Sequence, residues 1–160
     1  MQVKTTGSKY EFFLEGPISE KTGLYDYVIK NATEVVVDMD KVTFINSIGV
    51  KNWISWTMKI PAGCKLQLSR CPFVIINQIN MVHGFLPKTA TVESFYAPYV
   101  CECGTEANLL LQRGKEYEYP HNGEKERLDI PETSPCKKCS KDMEPDFIEK
   151  KISGFINPPG

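Results

Sequence analysis

Four of the six cysteines occur in two close pairs, and this spacing restricts the possible folds of the chain more than any other feature. The first pair is Cys101 and Cys103 in "CECG", and the second is Cys136 and Cys139 in "CKKC", with 32 residues between the pairs. Four thiolates carried by two tight turns can form a tetrahedral S₄ site, the usual arrangement for structural zinc. We therefore predict one structural Zn²⁺ held by these four cysteines.

Several features favour a structural metal over disulfides or a catalytic metal. The N-terminus has no apolar run of signal-peptide length behind a basic start, so we expect a cytoplasmic chain whose thiols stay reduced. The stretch between the two pairs is poor in apolar residues, and a metal would supply folding energy that this stretch lacks. A site with four protein ligands has no open position for water, so catalytic zinc is not expected.

The charge balance argues against nucleic acid as a partner. Residues 98–160 hold nine Lys/Arg and twelve Asp/Glu, a formal charge of −3, where a nucleic-acid module would show a basic patch. Lysines do cluster beside the second cysteine pair, but acidic residues follow them at once. No stretch of the sequence approaches the ~20 apolar residues that cross a bilayer, so membrane insertion is not expected either.

Upstream of the cysteines, strand-like and helix-like patterns alternate with short connections. The run "EVVVDM" (34–39) is typical of a central strand that is covered on both faces. Such alternation favours an α/β fold with a mainly parallel or mixed sheet. In chain order we predict a strand over 9–18 that Gly16-Pro17 breaks, a helix over 24–32, the strand over 34–39, a helix from Ser47 or Ile48 that ends before Pro61, a strand over 65–71, a helix over 72–82 and a strand over 91–100.

The character of the chain changes after Tyr99, where Gly, Pro and charged residues become frequent. We predict a boundary near residue 98, with an α/β domain over 1–97, a zinc-ribbon module over 98–142 and a short helical tail over 143–160. Within the module, "NLLLQRGKEYEYPHNG" predicts a β-hairpin or two short strands that turn at Arg113-Gly114.

Aromatic and apolar residues flank the module on both sides. Phe95, Tyr96 and Tyr99 are expected to pack across the boundary and fix the module against the α/β domain. The tail fits a short amphipathic helix that Pro158 stops, and this helix either covers the join or binds a partner. Its apolar positions are Phe147, Ile148, Ile152 and Phe155.

The stretch "VTFINSIGVKNWISW" changes from a strand pattern to a helical pattern at Asn46-Ser47-Ile48-Gly49. On a helical wheel, one face carries Val50, Trp53, Ile54 and Thr57 and should pack on the sheet. Ile48 falls on the opposite, polar face and is expected to be exposed. Ser47 stands where an N-cap belongs, and its hydroxyl can accept a hydrogen bond from a free backbone N–H.

This strand, followed by Ser-x-Gly and an apolar helix, resembles the STAS domain of anti-sigma-factor antagonists. Gly49 matches the glycine of the family's corner, and Ser47 matches the serine that a partner kinase phosphorylates. The order of elements over 9–99 also agrees. The resemblance implies a mixed sheet of four or five strands with helices on one side. It also implies a non-catalytic bacterial regulator that docks to a kinase, an anti-sigma-like regulator or another signalling protein.

Two residues at the corner depart from the family pattern. Asn46 replaces an acidic residue, and Ile48 replaces a small hydroxyl residue, so the corner is less polar. We therefore expect constitutive docking through Ile48, with Ser47, Asn46, Gly49 and Asn52 around it, rather than a phosphorylation switch. A phosphate on Ser47 would still add roughly −2 charge to this surface and oppose docking.

Two further interpretations of the sequence are weaker. Cys-x-Cys followed about thirty residues later by Cys-x-x-Cys resembles the zinc module of redox-regulated heat-shock chaperones, which implies oxidation-driven release of the metal. An enzyme has the least support, since no base–nucleophile pair or phosphate-binding loop is present. Asp38 and Asp40 could hold Mg²⁺ after a central strand, but loop capping is the better interpretation of this pair.

Overall fold

A computed structural model describes residues 1–157. Within that range the chain forms a mixed α/β structure with a five-stranded sheet, a four-stranded sheet, a two-stranded ribbon and three helices. The strands are β1 Gln2–Thr6, β2 Lys9–Ile18, β3 Glu34–Ile45, β4 Lys65–Ser69, β5 Thr91–Val92, β6 Ser94–Val100, β7 Glu106–Gln112, β8 Tyr117–Glu118, β9 Arg127–Leu128, β10 Ser134–Pro135 and β11 Asp142–Pro145; the helices are α1 Ser47–Met58, α2 Phe73–Met81 and α3 Lys150–Ile156.

The first sheet has the strand order β1-β2-β3-β4-β5 and confirms the predicted α/β class. The edge strand β1 is antiparallel to β2, and the other neighbours are parallel. β3 is central and alternates in burial, so that Val35, Val37 and Met39 are fully buried on one face. From α1, Trp53 donates a 3.0 Å hydrogen bond to the carbonyl of Phe85, which satisfies its indole N–H inside the core.

Two predictions for the N-terminal third were wrong. Only a 3₁₀ turn over Gly23–Asp26 forms where a helix over 24–32 was predicted, and the chain is extended again at Tyr27. Tyr27 is held by edge-to-face contact with Phe12 on the sheet, not by a helix of its own. Gly16-Pro17 does not break the first long strand, because β2 continues to Ile18 through register shifts in its pairing with β3.

The predicted strand over 91–100 is divided between two sheets at Glu93. β5 ends the first sheet, whereas β6 enters the four-stranded antiparallel sheet of order β10-β11-β6-β7. The turn at Arg113-Gly114 is present, with Gly114 at a φ of 87°. Of the two alternatives predicted around this turn, the structure has two strands, β7 and β8, and not a hairpin, since β7 pairs with β6 and β8 pairs with β9. The domain boundary near residue 98 stays a prediction.

Part of the predicted tail, 150–156, forms α3, which packs beside α2; 143–145 belong to β11 instead, and of the four apolar positions only Ile152 and Phe155 lie in the helix. Asn80 of α2 donates a 2.7 Å hydrogen bond to the Lys151 carbonyl. Phe155 lies in edge-to-face contact with Phe95 of β6, and Tyr99 meets Phe147, so the aromatics of β6 do pack against the tail. The predicted stop at Pro158 lies outside the described residues. Among residues 1–157, no helix is long and apolar enough to span a membrane.

Candidate metal centre and helix corner

The two cysteine pairs converge at one end of the four-stranded sheet. Cys101 and Cys103 lie in the turn between β6 and β7, and the other pair lies in the turn between β10 and β11. All four Sγ atoms lie within 4.8 Å of one another. The Sγ–Sγ distances between the turns are 3.4 Å for Cys101 and Cys139 and 3.8 Å for Cys103 and Cys136. Tetrahedral ligands at the Zn–S distance of 2.3 Å would be about 3.8 Å apart, so this donor set fits zinc.

Each turn is closed by its own backbone hydrogen bonds. In the first turn, the N–H of Gly104 donates to the Cys101 carbonyl at 2.9 Å, and Gly104 has a left-handed φ of 90°. In the second turn, the N–H of Ser140 donates to the Cys136 carbonyl at 2.9 Å, and Ser140 has a left-handed φ of 66°. Glycine adopts this conformation at low cost, which explains why "CECG" ends in glycine. The two tight turns therefore direct the four thiols toward one point.

The four thiols differ in exposure and in acidity. Cys101 and Cys136 are buried, Cys139 is half-buried and Cys103 is exposed. The Thr105 hydroxyl, 3.1 Å from Cys103 Sγ, and the Thr105 backbone N–H lower the pKa of Cys103 to about 6. A backbone N–H of Cys103 favours the thiolate of Cys101, but burial and the other three thiols raise its pKa to about 12.

In the second pair, backbone hydrogen bonds also favour the thiolate of Cys136. The N–H groups of Cys139 and Lys138 lower the pKa of Cys136, although its thiol is buried. Thiolates are the form that binds metal. The turns thus contain both stabilised thiolates and a thiol that gives up its proton only when a cation replaces it.

The helix corner at 46–49 is capped by a different residue from the one predicted. Asn46 is the N-cap of α1, and its Oδ1 accepts a 2.6 Å hydrogen bond from the N–H of Gly49. Ser47 is the first helical residue, so its predicted role as N-cap was wrong. The reason is geometric: Asn46 is still extended, at φ −92° and ψ 174°, which is the conformation an N-cap requires. The Asn46 N–H also donates to the Ile18 carbonyl at 3.2 Å.

Gly49 is required by the close approach of α1 to β2. A Cβ on Gly49 would overlap the backbone carbonyl of Ile18, and its next neighbour would be Asn46 Oδ1. The obstacle is backbone, which cannot rotate away as a side chain can. Asn46 and Gly49, both predicted as docking residues, therefore have structural roles at this corner.

The other three predicted docking residues face outward. Ser47 is exposed, Asn52 is half-buried, and Ile48 keeps 53% of its surface in solvent, as its position on the wheel predicted. Of these three residues, Asn52 lines a cavity of about 420 Å³ between α1 and the segment that follows β2. Its lining includes Lys21, Tyr25, Asp26, Asn52, Ser55 and Lys59.

Asp38 and Asp40, which were considered as a Mg²⁺ site or as loop caps, lie within β3. They contact Arg70, which the sequence analysis did not single out. Arg70 Nε donates to Asp38 at 2.8 Å, and Arg70 Nη1 lies 3.3 Å from Asp40. Tyr96 of β6 donates a 2.5 Å hydrogen bond to Asp40. This polar cluster joins the two sheets, so the interpretation of the aspartates as loop caps was incomplete. Arg70 has a left-handed φ of 49°, a conformation that no local sequence signal indicates.

Comparisons with known proteins do not indicate a family or a function for the chain. No protein family, no curated protein and no solved structure matches it. The four-cysteine cluster is therefore the strongest feature from which a function can be argued.

Proposed function

We propose that this chain is a non-catalytic cytoplasmic regulator that binds a protein partner and whose C-terminal sheet is held together by one structural Zn²⁺. The observation that carries the proposal is the convergence of four Sγ atoms within 4.8 Å from two separate turns. A Cys₄ shell fills the tetrahedral coordination of zinc and leaves no place for a reacting water. The ion would connect β6 and β7 to β10 and β11, where regular pairing is short.

Metal analysis of the purified chain tests the zinc part of the proposal. We expect one zinc per chain, retained through gel filtration. Cys136→Ser should lower the zinc content to a small fraction of the wild-type value, because a hydroxyl is a poor ligand for zinc. Cys64→Ala is the matched control, since Cys64 is a buried cysteine outside the cluster and its loss should leave the zinc content unchanged. A wild-type chain that takes up no zinc from micromolar solution contradicts the proposal.

The regulatory part rests on the resemblance of the helix corner to STAS domains. Support comes from a five-stranded mixed sheet and from Ser47 and Ile48, which both face solvent at the start of α1. An exposed isoleucine at the start of a helix is suited to docking on a protein surface, because its burial against a partner removes apolar area from water. A bacterial signalling protein, such as a kinase or an anti-sigma-like regulator, is the partner that the resemblance implies.

Affinity purification with chemical cross-linking tests the docking surface. We expect Ile48→Ser to remove a partner that wild type cross-links through α1, and Ser47→Asp to weaken it if the surface is sensitive to charge. Met58→Ser is the control, because Met58 is 79% exposed at the opposite end of the same helix. If all four chains recover the same proteins in the same amounts, the corner is not a docking site.

A second function, oxidant sensing, is favoured by the exposure of Cys103. Hydrogen peroxide would take two electrons from the thiolates of Cys103 and Cys136, whose Sγ atoms are 3.8 Å apart. A disulfide would form between them, and two protons would complete two water molecules. Release of zinc to a chromogenic chelator after mild peroxide, together with a Cys103–Cys136 disulfide in peptide mass spectra, would support sensing. Zinc that is retained under these conditions would exclude it.

A further inference from the structure

The outer edge of β7 has backbone hydrogen-bonding groups that the described part of the chain leaves without a neighbouring strand. β7 is the last strand of the sheet β10-β11-β6-β7, and within residues 1–157 it pairs only with β6. At seven residues it is as long as β6. A long open edge of this kind is a template for pairing with another extended segment.

Three hydrogen bonds show which backbone groups face outward. Gln112 turns its N–H away from β6 and donates to the Glu116 carboxylate at 2.7 Å, whereas the N–H of the next residue, Arg113, donates to the Glu93 carbonyl at 2.9 Å. At the other end, the carbonyl of Thr105 faces β6, since it accepts from Cys101 at 2.8 Å. Backbone direction alternates along an antiparallel strand. The N–H and C=O groups of Glu106, Asn108 and Leu110 therefore point to the open side.

The opposite strand agrees with this assignment. Pro98 is the residue across from Asn108, and its carbonyl is turned away from β7 to accept from the N–H of Asp146 at 2.9 Å. Tyr96, across from Leu110, likewise donates its N–H away from β7, to the Cys71 carbonyl at 2.8 Å. Residues that face each other in an antiparallel pair share the same bonding state. Asn108 and Leu110 thus form no ladder bonds with β6.

A cavity beside the open edge restricts the chemistry of what can pair there. It has a volume of about 280 Å³ and is lined by Pro98, Tyr99, Glu106, Ala107, Asn108 and Asp146. Two of these residues, Glu106 and Asp146, are exposed carboxylates, and the lining contains no cationic residue. Cross-strand neighbours place their side chains on the same face of a sheet. A residue paired opposite Asn108 would consequently extend its side chain over this acidic cavity.

We propose that β7 binds an extended peptide segment of a protein partner by strand addition, with a lysine or arginine of that segment in the acidic cavity. The three outward-facing residues supply a register of backbone hydrogen bonds, and the carboxylates select the basic side chain. A second copy of this chain fits less well. Pairing of β7 with itself about Asn108 would place no basic residue over either cavity, because β7 contains none. The edge is distinct from the helix corner, and it begins directly after the first cysteine turn, at Glu106.

Selection of a random seven-residue peptide library on phage against the full-length chain tests the proposal. Selected peptides are expected to share Lys or Arg at one fixed position. Asn108→Pro should weaken the binding of a selected synthetic peptide by at least about tenfold relative to Asn108→Ala. Both variants lose the amide side chain, but only proline removes the outward N–H. Proline is tolerated there because that N–H makes no bond to β6 and because extended backbone is favoured before it.

A charge variant and two controls complete the test. Glu106→Gln combined with Asp146→Asn should remove the preference for the basic position while keeping the backbone pairing. Thermal melting of Asn108→Pro, within a few degrees of Asn108→Ala, verifies that the sheet is intact. The proposal is overturned if no peptide is selected, if the selected peptides lack a common basic position, or if Asn108→Pro binds them as Asn108→Ala does. A chain that is dimeric through β7 would also overturn it, since the edge would then be occupied by a second copy.

Discussion

Asn46 and Gly49 are joined by a 2.6 Å hydrogen bond from the Gly49 N–H to Asn46 Oδ1, and this bond begins α1. Because it satisfies one of the free N–H groups of the first turn, Asn46→Ala should lower the free energy of unfolding by about 1 kcal/mol. Urea denaturation followed by the fluorescence of Trp53 and Trp56 measures the change, since both tryptophans belong to this helix and are buried in the core.

Two matched variants distinguish the cap from the residue beside it. Asn46→Ser keeps a hydroxyl that can accept from the same N–H, so most of the stability should be retained. Ser47→Ala should alter the free energy of unfolding by less than about 0.5 kcal/mol, as expected for an exposed site with no capping bond. If Ser47→Ala lowered the free energy of unfolding as much as Asn46→Ala does, Ser47 would be the N-cap.

Gly49→Ala should destabilise the protein although alanine is the better helix former. The added methyl group would overlap the Ile18 carbonyl, and overpacking against backbone costs roughly 1–3 kcal/mol, more than the ~1 kcal/mol that the higher helix propensity contributes. Gly154→Ala in α3 is the comparison, because the atom in its way is the end of the Asn80 side chain. Equilibrium unfolding should therefore show a smaller loss for Gly154→Ala, and the reverse order would contradict the close approach of α1 and β2.

The sequence predicted the helix α1 correctly but wrongly predicted a helix over 24–32, and the two segments differ in which of their apolar residues are buried. In α1 the apolar positions repeat at helical spacing and the chain is unbroken, so periodicity and conformation agree. Between Leu24 and Ala32 the spacing is also helical, but Leu24 and Ile29 are the buried residues while Val28 is 71% exposed. The left-handed φ of Asn31 also ends any helical continuation there. Contact of Tyr27 with Phe12, a tertiary interaction, outweighs the weak local preference.

The cysteine cluster was predictable because the two close cysteine pairs are visible in the sequence, and two such pairs are typical of a four-thiolate metal site. The polar cluster around Arg70 was not, since it brings together residues of β3, the end of β4 and β6 that are far apart in the chain. The same holds for the division of 91–100 between two sheets: the sequence shows one apolar run, and only the competing pairings of β5 and β6 separate its two parts.

Tyr96→Phe should weaken the contact between the two sheets. The mutation removes the 2.5 Å hydrogen bond to Asp40 and leaves a half-buried carboxylate with only Arg70, so we expect a loss of about 1–2 kcal/mol in the free energy of unfolding. Tyr10→Phe is the matched control, because its hydroxyl donates only a 3.4 Å hydrogen bond to the Lys30 carbonyl. Equal stability of the two variants in urea would show that the Tyr96 contact contributes nothing.

Removal of zinc should lower the thermal stability of the cysteine-bearing sheet more than that of the first sheet. At a free zinc concentration a thousand times its Kd, binding adds about 4 kcal/mol to the folded state, which in a chain of this size corresponds to roughly 8–16 °C in Tm. A chelator should therefore lower the Tm by that amount, and zinc, but not magnesium, should restore it. Differential scanning calorimetry with and without chelator measures the shift.

Tryptophan fluorescence distinguishes unfolding of the first sheet from unfolding of the cysteine-bearing sheet. Both Trp53 and Trp56 lie in α1, against the first sheet, and report on that part alone. At 25 °C the chelated protein should keep its native tryptophan emission while the backbone amide signals of Gly104 and Ser140, in the two cysteine turns, shift or broaden. This outcome would support two separately folding modules, one for each sheet. Tryptophan emission that moves to longer wavelength together with those signals would instead mean that the two sheets fold as one unit, with the metal stabilising both.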